Sequence, residues 1–169
     1  SPSGGTDITG SIICNIGSVW TTGAISMAAL NDDAAITFDV NQTDVNSNTG
    51  NATQLTAIKD TAAPTLAINA VSTINNANVA SYTVTGTCTT GDGNVSYTFS
   101  SPSGGTDATG SVACTTGTWT TGAISLAALN DDAAITFDAN QTDSASNTGN
   151  ATQLTAFKDA VVPIVAINA

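Results

Sequence analysis

Histidine, arginine and glutamate are missing from this 169-residue chain, and its only cations, Lys59 and Lys158, face 13 aspartates for a formal net charge of −11. Without histidine no Ser-His-Asp or Cys-His pairing can form, and acid–base chemistry near neutral pH falls to Asp, Tyr, Cys or the two lysines. This argues against an enzyme. Three cysteines without a C-x-x-C pair do not complete a four-ligand zinc site unless Asp contributes. Two cations cannot neutralise a run of phosphates, which sets the chain against nucleic acid and against an anionic membrane surface. No apolar run approaches the roughly 20 residues of a spanning helix. Strong helix formers are scarce while Thr, Ser, Asn, Ala and Gly dominate, which points to strands and turns. No secretion signal precedes Ser1, so the expectation is either a removed leader or a segment of a longer protein.

What the sequence does contain is a duplication, and a repeat fixes architecture before any local reading. Ser1–Gly5 recurs as Ser101–Gly105 and Cys14 as Cys114; one residue then drops out, and Trp20 matches Trp119. From Thr21–Asp60 to Thr120–Asp159 the 40 aligned positions differ at five: Met27/Leu126, Val40/Ala139, Val45/Ser144, Asn46/Ala145 and Ile58/Phe157. A period of about 99 residues is too long for a solenoid repeat and suits an autonomous sandwich domain. The predicted boundaries are 1–63 for the later part of one module, 64–162 for a complete module and 163–169 for the first strand of another. The first module is expected to lack its opening third.

Alternation and turn signals mark seven short strands in the complete module. They cover Thr65–Asn69, Ser81–Cys88, Asn94–Ser100, Ala108–Cys114, Trp119–Leu126, Ala133–Thr142 and Ala151–Lys158. Tyr82, Val84, Gly86 and Cys88 share one face, as do Val95, Tyr97 and Phe99, and Ile135, Phe137 and Ala139. A helical turn at Leu126–Leu129 is the one departure considered. The expected fold is therefore all-β: tandem Ig-like β-sandwich modules with Greek-key antiparallel strands. Lys59–Pro64 and Lys158–Pro163 share the pattern Lys-Asp-x-x-x-Pro, a short linker that proline stiffens.

Cys88 and Cys114 both fall at inward-facing parity in the complete module. They read as a disulfide in a secreted chain, or else as two buried thiols. Cys14 is the counterpart of Cys114, and its expected partner, the counterpart of Cys88, falls before Ser1, so no disulfide partner for Cys14 is expected within this sequence. Trp20 and Trp119 fit either a sugar-stacking platform or, as is usual for a single Trp in a sandwich, the core. Asp131 and Asp132 are neighbours whose side chains diverge, which favours a turn over a carboxylate pair.

Thr85-Gly86-Thr87-Cys88, then Cys114 with Gly117-x-Trp119, Gln141-Thr142-Asp143, Asn147 and Lys158-Asp159-x-x-x-Pro163, together resemble the Ig-like repeats of large bacterial adhesins and surface proteins. Ser-Asn-Thr-Gly at 146–149 and Ala-Val-Val at 160–162 depart from that pattern. The resemblance spans nearly the whole chain and implies extender modules of a stalk or fibre at the cell surface. It also implies Ca²⁺ at module junctions, with Asp143, Asn147 and Asp159 as ligands, and Asp44, Asn48 and Asp60 in the first module. Against this stands ordinary turn chemistry, since Asp and Asn close turns through their own backbone.

Three functions follow as expectations. The first is a non-catalytic spacer in an adhesin stalk or extracellular filament, whose partners are neighbouring modules and whose surface or glycan ligand lies at a distant tip. The second is a carbohydrate-binding accessory module, which calls for exposed aromatics in a chain that is 5% aromatic. The third is a filament subunit that polymerises by β-strand donation.

Overall fold

The computed structural model describes every residue except Asn15, Ile16, Ser18, Asn168 and Ala169. Among the described residues every regular element is a β-strand, and the chain divides into two compact units, Ser1–Thr61 and Ala62–Ala169. Unit 1 carries β1 (Asp33–Phe38), β2 (Asn41–Thr43), β3 (Thr49–Asn51) and β4 (Leu55–Lys59). β1 pairs antiparallel with β4, and β2 with β3. Leu30 and Ile36 are the buried apolar side chains of this unit.

Unit 2 carries β5 (Ala67–Ile68), β6 (Ile74–Asn75), β7 (Thr85–Thr87), β8 (Val95–Ser100), β9 (Ala108–Val112), β10 (Thr118–Thr120), β11 (Asp132–Thr142), β12 (Thr148–Asn150) and β13 (Leu154–Asp159). One sheet runs in the order β10-β7-β5; the other runs β6-β13-β11-β8-β9, with β12 paired to the far end of β11. The chain passes from the first sheet to the second between β7 and β8, returns between β9 and β10, and crosses again to β11. That is a Greek key, and the two sheets are the A-B-E and A′-G-F-C-C′ sheets of an immunoglobulin-like sandwich. All pairings are antiparallel except β13 with β6, which is parallel.

The core lies between the sheets and follows from period-two alternation. β8 buries Val95, Tyr97 and Phe99, and β11 buries Ile135, Phe137, Ala139 and Gln141. Leu66, Tyr82, Val84, Cys88 and Trp119 close the core from the opposite side, while Ile74 and Ala156 complete it. Phe99 stands between Tyr97 and Phe137, with both ring centroids 4.9 Å away. At Gly86 the backbone is covered so closely that an added Cβ would lie 2.0 Å from the Ala67 oxygen and 2.3 Å from the Trp119 indole nitrogen.

Two predicted strands are interrupted. Trp119–Leu126 holds its ladder only to Thr120: the Thr121 hydroxyl accepts from the Val84 amide at 3.0 Å, Gly122 turns at φ 64°, and a lone bridge joins Ile124 to Tyr82. The predicted closing strand, Ala151–Lys158, is a strand only from Leu154 onward, as β13, and the short β12 stands before it, outside the predicted bounds. From Asn140 back to Phe137 is three steps on β11, but their partners Asn150 and Leu154 are four apart, so one extra residue bulges. Leu126–Leu129 is a turn rather than a helix, with both leucines buried.

Candidate functional site

Unit 2 has a different bonded cluster at each end of β11, and each explains part of the repeated sequence. At the start of β11, Lys158 is 4% exposed and ion-paired to Asp131. The other Asp131 oxygen accepts the Ala160 amide at 3.1 Å. The chain leaving β13 is thereby held to the segment that enters β11. Unit 1 repeats the arrangement: Lys59 Nζ lies 2.5 Å from Asp32, whose second oxygen accepts the Thr61 amide and hydroxyl at 2.9 and 2.8 Å. Both lysines of the chain serve this clasp, which gives the Lys-Asp linker a structural meaning. The adjacent Asp132 does point elsewhere, accepting from the Ala134 amide at 2.8 Å and from the Ser103 hydroxyl.

These bonds act on the carboxylates. The hydrogen bond from Lys158, then that from the Ala160 amide, hold Asp131 below the usual Asp range, and the Ser103 hydroxyl does the same first for Asp132. Lys59 and Thr61 bring Asp32 to about 2, and Ser3 and Ala35 bring Asp33 to about 2. A carboxyl whose folded value is depressed contributes stability above its unfolded value of about 3.9 and loses it as the pH falls through the folded value. The melting temperature is therefore expected to hold its level from neutral pH down to about 4 and to fall between about 4 and 2. Asp131→Asn should flatten that fall, as read by circular dichroism at a series of pH values.

At the far end of β11, Asp143 and Asn147 meet. Asp143 accepts the Asn147 amide and its side-chain Nδ2, each at 2.9 Å, and Ser146 sits at φ 72°. Asp44 and Asn48 meet the same way in unit 1, at 2.9 Å for both bonds. These are turn-closing bonds, and they lower both carboxyls, with the Asn side chain as the first cause. Asp159 is not brought to this cluster. It follows Lys158, the partner of Asp132, whereas Asp143 follows Thr142, so the two lie at opposite ends of a strand roughly 35 Å long at ~3.4 Å per residue. Asp159 accepts instead from the Val161 amide at 3.0 Å, and Asp60 stands at the corresponding position after β4. Among the described residues no three acidic or cysteine side chains group to hold a metal ion.

Gln141 is the residue whose role sequence reasoning missed. Fully buried, it accepts from the Thr89 amide at 3.0 Å and donates to the Thr89 and Gly93 carbonyls at 2.9 and 2.8 Å. It thus pins the β7–β8 loop to the end of β11. The available signal was parity: Gln141 continues the inward series Ile135, Phe137, Ala139. Gln141→Leu strands three backbone groups, and the expected cost is about 2–3 kcal/mol in urea denaturation, against under about 0.5 kcal/mol for the same change at exposed Gln42.

Cys88 and Cys114 are joined as a disulfide. The bond differs from the antibody pattern, because it links the end of strand B to the segment after C′ rather than B to F. Trp119 is 3% exposed and donates its indole N–H to the Ala67 carbonyl at 3.1 Å, so it is a core residue and no sugar platform. A shallow cavity of about 280 Å³ beside it is lined by Asn69, Thr85, Ala113, Thr115 and Thr120. Trp20 is 46% exposed, and Cys14 is exposed as well.

Strand order, disulfide and clasp define an all-β, immunoglobulin-like module. No protein family and no curated protein matches the sequence. Several solved structures are similar, among them the following three. A tetra-tandem repeat in the extending region of a large adhesion protein is 19% identical, with a TM-score of 0.45, over 78% of this chain and 34% of that one. A 1.5-MDa bacterial ice-binding adhesin studied for host cell surface retention is 25% identical, with a TM-score of 0.43, over 76% of this chain and 43% of that one. A bacterial immunoglobulin-like domain from the M. primoryensis ice-binding adhesin is 27% identical, with a TM-score of 0.39, over 57% of this chain and 98% of that one. The chain thus spans about a third to two fifths of the first two. At these scores the fold assignment rests on the strand order itself.

Proposed function

We propose that this chain is a structural, non-catalytic stretch of tandem immunoglobulin-like modules in the stalk of a bacterial surface adhesin or extracellular filament. The observation that carries the reading is the near-identity of the two module copies, down to the Lys–Asp clasp that secures each exit strand. A spacer needs length, solubility and secured ends, which duplication supplies, whereas a binding module needs one distinct site. The disulfide belongs to an oxidising compartment, and the absence of His, Arg and Glu removes the usual catalytic groups.

Two measurements test the reading. An antibody raised against the chain should label intact cells without permeabilisation; labelling only after permeabilisation removes the surface role. On a glycan array the chain should stay at background, and a reproducible, saturable signal for one glycan class would favour the accessory-module reading instead.

A further inference from the structure

Unit 2 uses its asparagines in two ways. The side chains of Asn69, Asn75, Asn78, Asn130 and Asn147 are each hydrogen-bonded and close turns or tie segments together. Those of Asn76, Asn94, Asn140 and Asn150 are exposed and take no hydrogen bond among the described residues. All of these but Asn76 begin an Asn-x-Ser/Thr triplet, the pattern that accepts an N-linked sugar.

The ladder separates the three triplets. Asn140 lies inside β11, its backbone paired with Ser96 on one side and with Asn150 on the other. The Ser96 hydroxyl that completes the Asn94 triplet stands in β8, between β9 and β11. Neither triplet can be gripped by an enzyme without opening the sheet. Asn150 differs, because it ends β12, whose one partner among the described strands is β11, and Ala151–Gln153 belongs to no strand. The bulge before Leu154 keeps Ala151 against the core, with its amide bonded to the Ala139 carbonyl at 2.9 Å. Asn150 and Thr152, on either side of it, are both exposed. Unit 1 repeats the triplet and the bulge at Asn51-Ala52-Thr53, where the Ala52 amide meets the Val40 carbonyl at 2.9 Å.

We infer that Asn150 and Asn51 are acceptor sites for an N-linked sugar, one in each module copy. The side-chain nitrogen forms a bond to the anomeric carbon of a phosphate-activated sugar. The bond from that carbon to the phosphate oxygen breaks, its electron pair leaves on the phosphate, and one amide proton passes to a base of the transferring enzyme. The Thr152 hydroxyl is the group by which such an enzyme selects this asparagine. A sugar here covers the free edge of β12, a strand with no charge or proline of its own to discourage pairing with another chain.

Peptide mass spectrometry of the chain, isolated from the cells that make it, should find sugar on Asn150 and Asn51 and none on Asn140. Thr152→Ala should lower the occupancy of Asn150 at least tenfold and leave that of Asn51 unchanged, while Thr152→Ser restores it. Position 152 is exposed, and circular dichroism checks that both variants fold. Bare Asn150 and Asn51, sugar on Asn140 as often as on Asn150, or sugar on threonine alone overturns the inference. So does an occupancy that Thr152→Ala leaves unchanged. The same spectra identify the donor of a sugar found at Asn150. Single hexoses, present also on chain whose export is blocked, mean a nucleotide-linked sugar; a preassembled oligosaccharide on exported chain alone means a lipid-linked one.

Discussion

Phe137→Ala is expected to lower the stability of unit 2 by about 3–5 kcal/mol, while Phe38→Ala costs unit 1 less than about 1 kcal/mol. The two phenylalanines sit in the same eight-residue sequence, Asp-Asp-Ala-Ala-Ile-Thr-Phe-Asp, and in equivalent strands. Strand propensity and the pairing to the exit strand therefore cancel in the comparison. What differs is burial: Phe137 is fully enclosed, 4.9 Å from the Phe99 ring and 6.0 Å from that of Tyr82, whereas Phe38 is 40% open to water. Removing the enclosed ring loses its transfer free energy and leaves a cavity; removing the open one loses part of the first term only. Amide hydrogen exchange resolves the two units separately. Protection in β11 and β13 should fall at least a hundredfold for Phe137→Ala, and protection in β1 and β4 less than tenfold for Phe38→Ala. Equal losses would mean that the unit 1 face is closed in solution.

The same contrast measures how far the fold could be read from sequence. In unit 2 the alternation in Tyr82–Cys88, Val95–Phe99 and Ile135–Ala139 places the core side chains correctly, because each strand has a partner within its own module. Unit 1 has almost the same residues, yet the counterparts of β9 and β10 form no strand there. A strand is a pairing, and the partners of those segments, β8 and β7, have no counterpart in Ser1–Thr61. Local pattern specifies which face turns inward but not whether anything arrives to cover it. The clasp was equally long-range. Lys158 and Asp131 are 27 residues apart, and so are Lys59 and Asp32; the repetition of that spacing, with only two lysines in the chain, was the signal available. The resemblance places Asp143, Asn147 and Asp159 together as calcium ligands, whereas the ladder register puts Asp143 and Asp159 at opposite ends of the module.

Breaking the Cys88–Cys114 bond, by reduction or by the double change to Ala, should cost unit 2 about 3–4 kcal/mol, a drop of roughly 15 °C in melting temperature for a module of this size. The bond closes a loop with a sequence separation of 26. In the folded state that loop is already closed by the ladder. Thr87 pairs with Thr118, and the Cys88 amide donates to the Gly117 carbonyl at 3.0 Å. The bond therefore acts mainly on the unfolded chain, whose freedom it restricts. Pulling the chain from its ends separates this from a packing effect, since it reads a length as well as a force. With the bond intact, the residues between Cys88 and Cys114 cannot extend. With the bond reduced they add about 26 × 3.4 Å, less the 6.0 Å already spanned between the two Cα atoms, or roughly 80 Å of contour. A reduced and an oxidised chain that unfold to the same length would show that the bond does not form in the protein. The full length difference with no change in melting temperature would refute its stabilising role while leaving its effect on extension. Under the proposed stalk role, that limit on extension is a consequence of the bond as direct as its contribution to stability.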